Sequence, residues 1–415
     1  MIPFYVTVFV AVLLLLKIST AFLLSFRQEK HVRTIANHPA AFSSMNFSAA
    51  EIIKTVNYTR SRLGFSRFSL IFGSLVFLGW TFFGGIEALE VYVNSLGLPG
   101  LMSGTLFLLG FAIISILIQT PLSLYDSFVI EKKFGFNRTT FRIFILDFLK
   151  SLLLTTLLGI PIFMGLLLIM RNLGSWWWIW GWVALSLVSI FLVWLYPAVI
   201  APLFNKFSAL PEGELSNETL KLAKITNLNC SGVFVMDASK RSSHGNAFFT
   251  GLGKTKRIVF FDTLLKDFTT PELMAILAHE IGHQKKGHIP KMMILQILSL
   301  FISFAVMGFL FDKEWFFQSL GVMVPSSTTA LVLFTLVSGL FSFWFSPLEN
   351  WFLRRHEFEA DAFACKFAGH KALVSGLIRL YRENSAPVSD DPVYAVFYRS
   401  HPCLQDRIER ANQLQ

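Results

Sequence analysis

The 415-residue sequence predicts an α-helical multi-pass membrane protein that carries one polar α+β domain. Three observations predict it. Hydrophobic residues make up 54% of the chain and charged residues only 15%, against roughly 25% charge in an average soluble domain. Seven apolar stretches are each long enough to cross a bilayer, which takes about 20 helical residues. Lysine and arginine alternate between the connecting segments in step with those stretches. The composition excludes a disordered chain, a collagen-like fibre and a disulfide-stapled secreted module.

The stretches run approximately 2–24, 68–88, 101–122, 151–170, 176–200, 292–311 and 328–347. The first is too long for a signal-peptide core, lacks a basic leader and is followed by no small-residue cleavage site, so it reads as a retained anchor. The segments after stretches one, three, five and seven hold 7, 5, 12 and 9 Lys and Arg, whereas those after two, four and six hold none, Arg171 and Lys313. That alternation puts the N-terminus outside and every large polar segment on the cytoplasmic side. It also accounts for the net charge of +10. The basic residues form no interleaved aromatic platform, so nucleic acid is not an expected partner.

Residues 1–203 read as a membrane domain of five spans. Residues 204–415 read as a second domain, interrupted by a two-span hairpin at about 292–347. Its polar pieces, 204–290 and 348–415, together approach the size of one ordinary domain. Gly232–Asp237, Asn246–Thr250 and Arg257–Asp262 are short apolar runs bounded by turn residues and predict strands, with a turn at Gly251–Lys254. Thr269 and Glu272 have capping-box spacing and Pro271 suits a first turn, so a helix starts there. Cys230, Cys365 and Cys403 follow no metal-ligand spacing and read as reduced thiols.

That helix carries His279-Glu280-Ile-Gly-His283. Its two histidines are i and i+4, so both imidazoles leave one face and can close on one metal ion. Glu280 is placed to take a proton from an attacking water. The longer pattern with a third histidine fails, because Lys286 and Ile289 stand where it needs Gly and His. His288 reads as a polar residue at the membrane edge. The third ligand is expected from Arg354-Arg-His-Glu357-Phe-Glu-Ala-Asp361, just after the last span. Glu357 and Glu359 point about 200° apart on a helix, so only one can face the metal. Asp361 lies i+4 from Glu357, which makes Glu357 the ligand and Asp361 the carboxylate that holds a ligand imidazole. Glu359 is expected to point toward solvent or toward Arg354 and Arg355. The expected cofactor is one zinc ion per chain.

These motifs resemble those of the type I CAAX prenyl proteases, integral-membrane zinc metallopeptidases. The resemblance runs through Phe128-Val-Ile-Glu-Lys-Lys-Phe-Gly-Phe-Asn137, Ser243-His-Gly-Asn246-Ala-Phe-Phe-Thr-Gly251, Lys256–Leu265, the His279–His283 motif, Glu357–Asp361 and His401-Pro-Cys-Leu-Gln-Asp-Arg407. It implies seven helices around a water-filled chamber, with a cytoplasmic zincin-like (HExxH…E) domain facing it. It implies endoproteolysis of a peptide or protein substrate, lipidated or membrane-bound, in the eukaryotic members beside a prenylated C-terminal cysteine. His401 and Arg407 match positions near the scissile bond, and Asn246, Ala247 and Phe248 match the edge strand along which substrate is laid.

The chain ends Asn412-Gln-Leu-Gln415 without a dilysine retrieval signal. The expected setting is therefore a bacterial inner membrane, where membrane-protein quality control would be the task, or the endoplasmic reticulum if the source is eukaryotic. Two alternatives compete. A site-2-type intramembrane protease would place HExxH inside a span, whereas Glu272, Lys285 and Lys286 flank it here. An inactive binding or transport protein would need ionisable residues within the spans, where only Lys17 and Glu87 occur.

Overall fold

The structure, a computed structural model, describes residues 1–228, 232–250 and 257–414. Cys230 and the expected turn at 251–254 lie outside the described residues. Seven helices are long and apolar enough to cross a membrane: Ile2–Asn37, Ala49–Trp80, Gly100–Glu131, Phe141–Asn172, Gly174–Phe204, His288–Leu310 and Ser327–Ala368. Phe4, Phe9, Leu15, Phe68 and Leu75 stand exposed on their outer faces, as residues turned toward lipid do.

Several helices outrun their apolar stretches. The second starts at Ala49, where Ser48 Oγ accepts from the Glu51 amide (3.2 Å) and the Ser48 amide donates to Glu51 Oε2 (2.7 Å). This capping box closes both orphan donors. The polar extensions of the first two helices are tied together by Glu29, which pairs with Arg33, Arg60 and Arg67. The second helix stops at Trp80, short of the expected 88. Gly84 takes φ +75°, and a Cβ on Gly85 would lie 2.7 Å from the Gly79 carbonyl oxygen. Only glycine allows that break, and a separate helix, Gly85–Ser95, follows.

The polar part contains a four-stranded sheet of β1 (Phe207–Ala209), β2 (Val233–Met236), β3 (Ala247–Thr250) and β4 (Arg257–Phe261), in the order β1-β2-β4-β3. β2 and β4 are parallel, and the outer pairs are antiparallel. β3 is therefore an edge. β1, at three residues, is too short to read from sequence. A single buried core joins Phe260, Leu264, Leu277 and Ile281 to Ala364, Leu373 and Leu404, and also takes in Val32 and Ile52 from the first two membrane helices. Each such Leu, Ile or Phe contributes about 1.5–3 kcal/mol on burial. The two polar pieces thus pack as one body around the polar extensions of the first two spans. Cys365 and Cys403 are free.

Two features connect this body to the last hairpin. After the Thr270–Lys285 helix, Gly287 adopts φ +66° and turns the chain into the sixth span. The seventh span then runs unbroken through all 42 residues of Ser327–Ala368, about 63 Å at 1.5 Å per residue. Glu357 and Asp361 therefore stand on the same rigid rod that crosses the membrane.

Candidate metal centre

The Thr270–Lys285 helix begins as its sequence dictates. Thr269 and Glu272 form the capping box, and Pro271 occupies the first turn. Glu272 is further held by Ser375 Oγ (2.5 Å) and Arg379 (3.2 Å). Leu273, Ala275, Ile276, Leu277, Ala278 and Ile281 are all buried, so this is an interior helix. Gly282 makes its closest packing. A Cβ there would lie 3.0 Å from both Ala360 Cα and Phe363 Cβ on the Ser327–Ala368 helix. The missing side chain lets the two helices that carry His279, His283 and Glu357 approach this closely.

Three donor atoms converge as a result. His279 Nε2 and His283 Nε2 are 3.1 Å apart. Glu357 Oε2 lies 3.4 Å from the first and Glu357 Oε1 3.2 Å from the second. Tetrahedral zinc with bonds of about 2.0–2.1 Å spaces its ligands about 3.3 Å apart, and one donor atom from each of His279, His283 and Glu357 lies within 4.8 Å of the others, close enough to share one ion. Two further observations fit a bound cation. Glu357 Oε2 is buried and has no hydrogen-bond partner. Burial alone would lower the His279 pKa, yet Asp361 and Glu357 carry it up to about 10. The pocket favours positive charge, which a divalent ion supplies as well as a proton does.

The His279 ring is fixed from behind. Its Nδ1 lies 2.9 Å from Asp361 Oδ1, which leaves Nε2 free for the ion. Asp361 is gripped by Arg407, whose Nε donates to Oδ2 (2.8 Å) and Nη2 to Oδ1 (2.6 Å). Arg407 is itself buried, so both charges are desolvated and satisfied together. Its donors go to Asp361, and its approach to Glu357 Oε2 is a longer 3.6 Å.

His283 has a different support, and here the sequence expectation needs correcting. His288 stands at the start of the sixth span, as a residue at the membrane edge would, but it is a buried partner whose Nδ1 sits 2.9 Å from His283 Nδ1. Glu359 does turn away from Glu357 and reaches Arg355 (3.4 Å). It also holds His288 Nε2 at 3.2 Å, which a solvent-pointing residue would not.

Glu280 is half-buried beside the cluster, and among the described residues no hydrogen bond engages its carboxylate. Burial raises its pKa against the pull of His279 and His283, the direction a general base needs. His401 Nε2 lies 3.4 Å from Glu357 Oε1 while its side chain stays 63% exposed. It is the polar group of the site most open to an incoming chain.

The β3 edge lies against the same helix. Phe261 N–H donates to the Asn246 carbonyl (2.9 Å), and Phe248 pairs with Val259. In an antiparallel pair the alternate residues face outward, so Ala247 and Phe249 present their backbone groups to the open side. The Ala247 N–H is covered by Asn246 Oδ1 at 2.9 Å. The motif in the membrane half braces the segment that leads into this strand. Ser243 N–H donates to the Phe136 carbonyl (3.0 Å), Arg138 N–H to the Arg241 carbonyl (3.0 Å), and His244 Nε2 meets Glu131 Oε2 at 3.2 Å.

Seven spans and a His-His-Glu cluster with an adjacent glutamate define a membrane-embedded metallopeptidase. Residues 28–206 match the family model for the CAAX prenyl protease N-terminal region of five membrane helices, and residues 209–415 match peptidase family M48. The chain belongs to the type I CAAX prenyl protease family, as its motifs led us to expect. It is 36% identical over 383 residues to CAAX prenyl protease 1 of Saccharomyces cerevisiae, covering 86% of this chain and 84% of that one. Against the mouse homologue it is 31% identical over 435 residues, covering 93% and 91%. The crystal structure of S. mikatae Ste24p superposes with a TM-score of 0.89 at 32% identity, covering 98% of each chain. The protein is thus a multi-pass membrane metalloendopeptidase acting on peptide or protein substrates. The intramembrane-protease and transport readings are not favoured.

Proposed function

We propose that this endopeptidase uses zinc, held by His279, His283 and Glu357, to cleave CAAX-type C-termini beside a prenylated cysteine. The observation that carries the proposal is the convergence of two imidazole nitrogens and the Glu357 carboxylate beside an unengaged Glu280. When bound, zinc supplies Lewis acidity toward the scissile carbonyl and the attacking water. Every other task falls to this chain's residues.

Substrate backbone pairs with the open edge of Ala247–Phe249, displacing the Asn246 amide from the Ala247 N–H and leaving selection to side-chain pockets. Glu280 accepts a proton from the attacking water and returns it to the leaving amine. His401 donates to the carbonyl oxygen as negative charge develops there. Arg407 acts indirectly, by holding Asp361 and hence the His279 ring. Residues 204–290 and 348–415 work as one cytoplasmic domain, with the N-terminus outside and the active site facing a water-filled interior between the spans.

The test uses the purified full chain in detergent with a farnesylated CAAX peptide and its unprenylated counterpart. Cleavage after the prenylated cysteine, abolished by a chelator and restored by zinc, is expected. Cleavage that ignores the chelator, or that prefers the unprenylated peptide, would contradict the proposal.

A further inference from the structure

The two ligand imidazoles are supported asymmetrically. His279 leans on a carboxylate directly. His283 leans on a second imidazole, which leans on a carboxylate: His283 Nδ1 to His288 Nδ1 is 2.9 Å, and His288 Nε2 to Glu359 Oε2 is 3.2 Å. His288 is 3% exposed, and its opposite face is packed by the His356 ring, stacked at 4.0 Å and 12°. His288 is thus confined by hydrogen bonds in its plane and by stacking above it.

Only one arrangement of protons fits these contacts if His283 binds metal through Nε2. His283 Nδ1 must then carry the hydrogen and donate, so His288 Nδ1 must accept. The remaining hydrogen sits on His288 Nε2 and is donated to Glu359. Both rings are neutral and every polar atom along the line is used. We infer that His288 and Glu359 are positioning residues that act as a two-step relay, fixing the tautomer and ring plane of His283 as Asp361 does for His279. This rests on the reading of His283 as a metal ligand.

The placement gives the relay a structural consequence. Glu359 stands on the same helix as the ligand Glu357 and two residues from it. His288 is the first residue of the sixth span, just past the Gly287 turn. The relay therefore ties the metal cluster to both ends of the hairpin that crosses the membrane, so that the geometry at His283 depends on how spans six and seven are docked.

The test measures zinc affinity by chelator competition, with the visible spectrum of the cobalt-substituted protein as a second readout. It uses the full-length chain and the variants His288→Ala, His288→Gln, Glu359→Ala, His288→Ala/Glu359→Ala and His279→Ala. Loss of an outer partner typically weakens metal binding about 10–100-fold. We expect that loss in His288→Ala with an altered cobalt spectrum, and substantial recovery in His288→Gln, whose amide can both accept and donate. Because Glu359 acts only through His288, the double variant should bind zinc as His288→Ala does, an interaction term of the kind coupled neighbours show. Unchanged affinity in His288→Ala, additive losses in the double variant, or a loss as complete as in His279→Ala would each overturn the relay. Should His288→Ala fail to fold, Glu359→Ala against wild type carries the same comparison, and unchanged affinity there overturns it. Full zinc retention by His279→Ala would instead remove the metal-site assignment itself.

Discussion

Gly282 and Ala360 touch so closely that a methyl group on Gly282 would stand 3.0 Å from Ala360 Cα and 3.2 Å from its carbonyl oxygen. Both residues are buried. Gly282 sits between Glu280 and His283 in the chain, and Ala360 between Glu357 and Asp361. This contact sets how closely the helices carrying His279, His283 and Glu357 approach. Gly282→Ala must push backbone from backbone, and overpacking of this kind costs about 1–3 kcal/mol. Thermal unfolding of the detergent-solubilised variant should show that loss, and zinc content after dialysis should fall below that of wild type. Wild-type stability and zinc content together would show that the helices do not meet here.

Arg407 and Asp361 form a buried pair, with Arg407 donating twice. Removing one partner of a buried ion pair costs about 3–5 kcal/mol, because the other charge is left desolvated. Arg407→Ala should therefore destabilise the protein by that order and loosen zinc binding with it. Arg407→Lys should rescue little, since an ammonium cannot reproduce the two-pronged grip. If Arg407→Lys kept full stability and zinc affinity but lost turnover, Arg407 would belong at the scissile carbonyl after all.

His401 is expected to act on the substrate, not on the metal. Its Nδ1 is engaged by Ser400 Oγ at 2.9 Å, and its exposed Nε2 points toward Glu357. Removing one such donor typically lowers kcat about 10²–10³-fold. His401→Ala should show that decrease with zinc content still near one per chain. Loss of the ion in that variant would make His401 a ligand.

Much of this was legible in the sequence because it depends on local periodicity. The i, i+4 pair of His279 and His283, the Thr269–Glu272 cap and the choice of Glu357 over Glu359 each follow from helix geometry alone. The spans were legible from their length. What was missed depends on chain reversals that periodicity does not encode. His288 is five residues from His283, off the helix face they would share, and only the left-handed turn at Gly287 swings it back behind that ring. The grip of Arg407 on Asp361 joins residues 46 apart. The brace of Glu131 against His244 spans 113 positions, so both motifs could be recognised while the contact between them could not.

Orientation is tested separately. Ser208 is exposed on β1, in the segment richest in lysine and arginine. A single cysteine placed there, with Cys230, Cys365 and Cys403 replaced, should resist a membrane-impermeant thiol reagent in intact cells and react once the membrane is opened. Labelling in intact cells would reverse the assigned sides.

We propose that Glu280 moves the proton while His279, His283 and Glu357 hold the ion. Glu280→Gln separates the two tasks, because a neutral amide cannot accept a proton and leaves both imidazoles untouched. Zinc content and peptide cleavage should be measured on the same preparation of this variant. We predict one zinc per chain with cleavage reduced on the order of 10²–10⁴-fold, the usual contribution of a positioned base. Turnover at the wild-type rate in the zinc-loaded variant would contradict the role given to Glu280.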